Sequence, residues 1–230
     1  MRLHIPLLLT CLTSCSIAVT KQSPHNAIIS PSTQNITIQV LTGQEAKKYI
    51  NDIARIRLTL FREYPYLYKG TAAYEEEYLE TYFKSPHTVI LLVFDGDKVV
   101  GFSNAIPLAD ESDEMKAPFI QKGLNLNDYL YIGEVMVYPP YRGQGILRKF
   151  LEFHEAKARK EGYKYTVFMT VERPENHPCK PDNYEPLDAV WKHFGYKLVP
   201  GLQISLAWTQ VDTNQETGNT LAIWQKTMND

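Results

Sequence analysis

Three cysteines among 230 residues are too few for a disulfide framework. A chain of this length needs none, since a domain this size hides roughly 70% or more of its extended surface. Neither sign of charge dominates. Lys and Arg number 24 against 26 Asp and Glu, for a formal charge of −2, so the polybasic character that draws proteins to nucleic acid or anionic lipid is missing and no nucleic-acid partner is expected. No apolar run reaches the ~20 residues that a membrane-spanning helix requires. No Cys or second His accompanies His177 at metal-ligand spacing, and no Ser–His–Asp arrangement stands out, so no metal and no such triad is expected.

What is present is an ordinary folding composition, 44% hydrophobic and 22% charged, with 15 tyrosines, several of them clustered. The first twenty residues stand apart. One positive charge at Arg2, a mostly apolar stretch from Leu3 to Leu12, and the box Leu12-Thr13-Ser14-Cys15 resemble a bacterial lipoprotein signal. On that reading Cys15 becomes a lipidated N-terminus and anchors the protein to a membrane, Cys11 is discarded, and Cys179 stays a free thiol. If the leader is unused, the protein is cytoplasmic. Residues 21–35, rich in Ser, Pro, Gln and Asn, read as a tether.

From residue 36 to 228 the sequence reads as one domain. Ile36 to Leu41 alternates as a strand does, and Thr42-Gly43-Gln44-Glu45 offers a helix start. Ile50, Ile53, Ala54, Arg57 and Leu58 then recur at helical spacing, with the helix expected to run to the residue before Pro65. Ala73 to Phe83 makes a second helix. Asp95-Gly96 between two apolar runs signals a hairpin of Thr88 to Phe94 with Lys98 to Ile106. Pro107 to Asp128 reads as an insertion bearing Asp110, Glu111, Asp113 and Glu114. Tyr129 to Tyr138 is a strand apolar on both faces, and a helix runs from Gly145 or Ile146 to Glu161, closed by Gly162. Strand Tyr163 to Val171, helix Pro186 to Phe194 and two last strands complete the order. The pattern predicts an α/β fold with a mixed, largely antiparallel sheet of about seven strands and helices on both faces. It lacks the regular alternation of a doubly wound nucleotide-binding fold.

The chemistry concentrates at Val137-Tyr138-Pro139-Pro140-Tyr141-Arg142-Gly143-Gln144-Gly145-Ile146-Leu147. A strand, a glycine-bearing turn and a helix start occur within a dozen residues. First-turn N–H groups have no partners inside a helix, and with the helix dipole they make a seat for a phosphate or diphosphate. The turn does not end in Gly-Lys-Ser/Thr, so it is no nucleotide P-loop. Glycines serving the turn alone are the alternative.

This stretch resembles the acetyl-CoA signature of the GNAT N-acetyltransferase superfamily, Gln/Arg-x-x-Gly-x-Gly/Ala: Arg142 and Gly145 match, whereas Leu147 stands where the family has Gly or Ala. Trp191-Lys192-His193-Phe194-Gly195-Tyr196 resembles the family's late aromatic helix, and the order of elements agrees as well. The resemblance implies acetyl-CoA as co-substrate and direct transfer of an acetyl group to a small amine or a peptide amino group. It implies that backbone groups of Val135, Met136 and Val137 hold the pantetheine arm, and that Arg142, Gly143, Gln144, Gly145, Ile146 and Leu147 lie against the diphosphate. Glu134 is the candidate general base, with a structural carboxylate paired to an Arg or Tyr as the alternative. Many relatives carry a proton-donating Tyr where Trp191 stands here, leaving water, Tyr184 or His193 for that task. Tyr64, Tyr66, Tyr68 and His177 are the candidate acceptor-binding residues, and the insertion is expected to flank the acceptor groove. Two other readings remain open: a non-catalytic CoA-binding sensor, suggested by Trp191 and Leu147, and a partner-binding surface lipoprotein. The acceptor, acyl length and oligomeric state are not legible.

Overall fold

A computed structural model of the chain describes residues 36–228. The leader, the tether and Cys15 lie outside the described residues. The chain opens with β1 (Ile36–Thr42), after which Thr42 caps a short helix α1 (Gly43–Ala46). Its hydroxyl accepts from the Glu45 N–H at 3.2 Å while the Glu45 carboxylate takes the Thr42 N–H at 2.8 Å, so two orphan donors are satisfied reciprocally. Helices α2 (Ile50–Leu60) and α3 (Ala72–Lys84) come next. The first stops at Leu60, earlier than Pro65 alone implies, because the chain turns back there: Tyr68 N–H bonds Phe61 O at 2.8 Å.

The hairpin β2 (Val89–Asp95) and β3 (Lys98–Pro107) forms as its Asp-Gly turn foretells. The insertion holds a helix that the sequence pattern does not announce, α4 (Asp113–Gln121), capped by Ser112 and containing Pro118. Strand β4 (Tyr129–Val137), helix α5 (Ile146–Glu161), strand β5 (Tyr165–Val171), the short α6 (Asp188–His193) and strands β6 (Lys197–Thr209) and β7 (Glu216–Thr227) complete the chain. The seven strands lie in the order β1-β2-β3-β4-β5-β7-β6, antiparallel throughout except for β4 beside β5.

Both faces of the sheet are covered. Ile53, Ile56, Leu79, Tyr82, Phe83 and Phe119 from α2, α3 and α4 meet Ile90, Leu92, Phe102 and Tyr131 on one face. Phe150 and Leu151 of α5, with Trp191 of α6, pack on the other. Fully burying one such side chain contributes about 1.5–3 kcal/mol, so the double apolar coat of β2 and β4 fixes these as central strands.

One irregularity in β4 determines which way its side chains point. The β3 register runs Asn104 opposite Glu134 but Ala105 opposite Ile132, which leaves Gly133 as an extra residue in β4. A side chain there would strike the Tyr82 hydroxyl and lie 2.6 Å from Asn104 Oδ1, so only glycine fits. The bulge corrects the simple alternation that would put Ile132, Glu134 and Met136 on one face. Ile132 packs with the α5 side, whereas Met136 packs with the α2–α3 side and Glu134 reaches side chains of the same two helices.

Candidate active site

Strand β4 pairs with β5 only at Tyr129, Leu130 and Tyr131. Beyond Tyr131 the two strands part, and a cleft of about 1470 Å³ opens between them. Alternation along β4 decides which backbone groups face it. Glu134 N–H goes to Asn104 Oδ1 at 2.8 Å, and Tyr138 N–H to Val100 O at 3.0 Å. Even-numbered residues therefore turn their backbone toward β3, and Met136 O, close against Gly101, does the same. Val135 and Val137 turn theirs to the open side. The expectation that all three residues present backbone to the cleft is thereby narrowed to two, because successive peptide groups point to opposite edges of a strand.

At the end of β4, Pro139–Tyr141 makes a 3-10 turn, and the Tyr141 hydroxyl donates to Asp95 at 2.7 Å, tying the turn to the β2–β3 hairpin. Gly143 and Gly145 then take φ of +75° and +76°, and no atom lies within 4 Å of a Cβ built on either. Among the described residues, the N–H groups of Gly143, Gln144 and Gly145 meet no acceptor. Helix α5 starts directly after them, so bare amides and the positive end of a sixteen-residue helix converge on one spot. Arg142 lies across this spot, its Nε donating to Val137 O at 3.0 Å, and Gln144 reaches back to Pro140 O at 3.4 Å. Ile146 is buried. Leu147, the departure from the signature, packs against the Leu151–Trp191 cluster. A diphosphate fits this donor set, and an extended amide-bearing chain fits the unpaired edge of β4.

These features, an interrupted β4–β5 pair and a bare-amide turn opening α5, lie within the segment that a family model describes. Residues 53–181, more than half of the chain, match the acetyltransferase (GNAT) family model. The chain belongs to the GNAT acetyltransferase family. Among solved structures it is similar in fold to an N-acetyltransferase from Staphylococcus aureus Mu50, with TM-score 0.55, 16% identity, and coverage of 85% of this chain and 99% of that one. Arabidopsis thaliana NAA60, solved in complex with acetyl-CoA, gives TM-score 0.56 at 12% identity over 85% and 100% of the two chains. The ribosomal-protein-S18-alanine N-acetyltransferase of Escherichia coli gives 0.53, again at 12% identity, over 85% and 96%. No protein of curated function matches the sequence.

In this GNAT domain Glu134 sits on β4 beside the bulge and lines the cleft. Its Oε1 accepts from the Arg57 guanidinium and, at 3.2 Å, from the Tyr78 hydroxyl, and its Oε2 accepts from the Asn104 amide. A carboxylate has about four lone-pair sites, so one acceptor position remains on Oε2. Arg57 also binds Glu75, and its guanidinium lies 4.1 Å from the Tyr78 ring centroid. Burial opposes the charge of Arg57, but facing Tyr78 and Glu75 outweigh it and raise its pKa. The Tyr78 and Tyr82 hydroxyl oxygens lie 3.1 Å apart, and Tyr82 donates to Glu111 at 2.7 Å; each hydroxyl has a single proton, so with Tyr78 donating to Glu134 no proton is left between the two. Burial pushes the Glu111 carboxyl upward despite the Tyr82 hydroxyl and the Ser112 N–H.

The acceptor end is built differently from expectation. Tyr64 lines the cleft, and its ring stands edge-on to Tyr184 with centroids 4.6 Å apart. Tyr66 also lines it, but packs on Phe61 at 4.4 Å, and burial raises its hydroxyl pKa to about 12. Tyr68 does not reach the cleft. It is paired with Gln210 through the backbone and held against Phe61 and Tyr74. His177 also stays out of the wall: its Nδ1 accepts the Cys179 N–H at 3.2 Å, and its ring backs Tyr64. The Pro107–Asp128 insertion supplies no cleft residue among those described, because Met115 and Phe119 are drawn into the core. The opposite wall comes instead from residues 172–188, tied down by Arg173, which donates to Pro65 O at 2.7 Å and Tyr66 O at 3.0 Å. Trp191 is buried against Phe168, centroids 4.7 Å apart, and among the described residues its indole N–H has no partner. His193 is exposed near Arg148 and is not part of the cleft wall.

Sequence reasoning missed Asn104 and Tyr78. Arg57 was visible only as one position of a helical stripe, and its partners lie 18 and 77 residues away.

Proposed function

We propose that this GNAT protein transfers an acetyl group from acetyl-CoA to an amino group admitted at the Tyr64–Tyr184 end of the cleft. The observation that carries this reading is the parted β4–β5 pair, with the backbone edges of Val135 and Val137 turned into it beside the bare amides of residues 143–145. Bound acetyl-CoA supplies the activated acyl group. The amides of Gly143, Gln144 and Gly145, with Arg142, seat its diphosphate, while Ile146 and Leu147 hold the helix start against the core. Val135 and Val137 bond the pantetheine arm. An N–H aimed at the thioester oxygen stabilises the negative charge that grows there.

The acceptor arrives as an ammonium, because a lysine-like amine with a pKa near 10.4 is protonated at neutral pH, and it must lose that proton to attack. Glu63, Glu172, Glu175, Glu185 and Asp188 line the cleft, and their charge favours a cation. Glu134 then acts as base through its one remaining acceptor position. Tyr184, which lines the cleft, is the candidate proton donor to the departing thiolate.

The test is calorimetric titration with acetyl-CoA and then turnover against a panel of polyamines, amino acids and peptides. Micromolar binding with acetyl transfer, and a Glu134→Gln variant that binds acetyl-CoA normally but turns over at least tenfold more slowly, is the expected result. Binding without transfer to any amine would favour the sensor reading, which Trp191, standing where many relatives carry a proton-donating Tyr, and Leu147 suggest. No binding would end both. We further propose attachment to a membrane through a lipid on Cys15: fatty-acid labelling should vanish in Cys15→Ala, and unchanged labelling would refute it.

A further inference from the structure

Ser103 on β3 and His154 on α5 are both completely buried, and neither lines the cleft. Two polar side chains in a core cost free energy unless each finds a partner. Ser103 Oγ lies 2.7 Å from Glu134 O and 2.8 Å from His154 Nε2. The carbonyl can only accept, and the hydroxyl has one proton, so that proton goes to Glu134 O. His154 must then donate from Nε2, which leaves Nδ1 bare, and among the described residues Nδ1 has no partner. Burial, with the charge of Lys157, lowers the His154 pKa to about 3, so the ring stays neutral. A buried imidazole nitrogen left without a partner costs free energy, and fold stability alone does not account for the pair.

The carbonyl they hold is half of a particular peptide unit. The peptide between Glu134 and Val135 is planar and trans, so its N–H points opposite to its C=O. With Glu134 O fixed toward β3, the Val135 N–H is fixed toward the open wedge. This is also the place where the bulge at Gly133 disturbs the β3–β4 ladder, so that Glu134 N–H is taken by the Asn104 side chain. A chain of hydrogen bonds polarises its members in one direction: His154 Nε2–H to Ser103 Oγ, then Ser103 O–H to Glu134 O, makes the Val135 N–H a stronger donor.

We propose that Ser103 and His154 are positioning residues that aim and polarise the Val135 N–H as the oxyanion donor of this site. The inference rests on the acetyl-transfer reading above. It assigns the donor to one of the two cleft-facing amides and names the side chains behind it.

Three substitutions and three readouts test it. Ser103→Ala and His154→Leu break the chain, whereas His154→Gln keeps a donor near the place of Nε2. The readouts are the kcat and KM for acetyl-CoA, the carbon-13 shift of bound carbonyl-labelled acetyl-CoA, and the proton shift of the Val135 amide in the ligand-free protein. Ser103→Ala and His154→Leu should lower kcat about tenfold, short of the ~100- to 1000-fold loss on outright removal of such a donor, with KM within about twofold. The bound carbonyl shift should move toward that of free acetyl-CoA and the Val135 proton should move upfield, while His154→Gln stays close to wild type in all three. Unchanged kcat and carbonyl shift in Ser103→Ala, or a Gln variant indistinguishable from Leu, would overturn the assignment while acetyl transfer stands. A wild-type protein that binds no acetyl-CoA would remove both. Should His154→Leu fail to fold, Ser103→Ala, which deletes one oxygen, decides.

Discussion

The two sides of β4 near residue 134 solve opposite problems. On the α2–α3 side, a side chain, Glu134, is driven into the core and held by hydrogen bonds from other side chains: Arg57, Asn104 and Tyr78. On the β5 side the working groups are peptide amides, left unpaired because the neighbouring strand has turned away. The first arrangement is strong because every partner is specified by residue type. The second depends on geometry, and almost any residue at 135 or 137 would supply the same N–H. A side-chain scan should therefore find the first readily and miss the second, unless it strikes the residues that shape the backbone.

The sharpest way to break the comparison is Arg57→Met. One guanidinium serves two buried carboxylates, Glu75 and Glu134, and removing one partner of a buried pair typically costs about 3–5 kcal/mol because charge is left uncompensated. Urea unfolding of the variant should show a loss of that order. A loss below about 1 kcal/mol would mean that the cluster is wetter than its burial implies.

Much of this was legible beforehand, and the rest was hidden for a common cause. The Asp95-Gly96 hairpin, the helix closed by Gly162 and the turn at Arg142–Gly145 are local: a few adjacent residues determine each of them. Arg57 was legible only as one position of a helical stripe and not as half of an ion pair, because Glu75 and Glu134 lie 18 and 77 residues away. The bulge at Gly133 was hidden, because the side chains that leave room there only for glycine, Tyr82 and Asn104, come from elsewhere in the chain. The acceptor wall failed for the same reason. Tyr64, Tyr66 and Tyr68 look equivalent in sequence, yet the bridge to Gln210 draws Tyr68 away from the cleft. The insertion looks like a polar loop in sequence, yet Met115 and Phe119 fold inward.

On the backbone side, Gly145→Ala probes shape without touching a functional side chain. At φ +76° an L-residue carries a strain of roughly 1–2 kcal/mol, and its Cβ would stand in open space where the diphosphate is proposed to lie. The strain is common to the free and bound protein and lowers stability alone, whereas the methyl group in the diphosphate's place should lower acetyl-CoA affinity, measured by calorimetry, about tenfold or more, a loss of about 1.4 kcal/mol, while the Glu134 cluster is unaffected. Unaltered affinity would remove the loop amides from the anion seat and leave the comparison with only one functional side.

The smallest effect belongs to the acceptor end, where neither a buried charge nor a strained backbone is at stake. Tyr64 meets Tyr184 edge to face, and such aromatic pairs contribute about 0.5–1.5 kcal/mol beyond their buried area. Tyr64→Ala should lower the unfolding free energy by about that amount and, because its ring lines the acceptor end, raise the acceptor KM several-fold, with acetyl-CoA affinity nearly unchanged, since the ring packs on Tyr184 and His177 rather than on the core clusters. A fall in acetyl-CoA affinity instead would show that Tyr64 holds the wedge itself open, and the division between a cofactor end made of backbone and an acceptor end made of side chains would have to be abandoned.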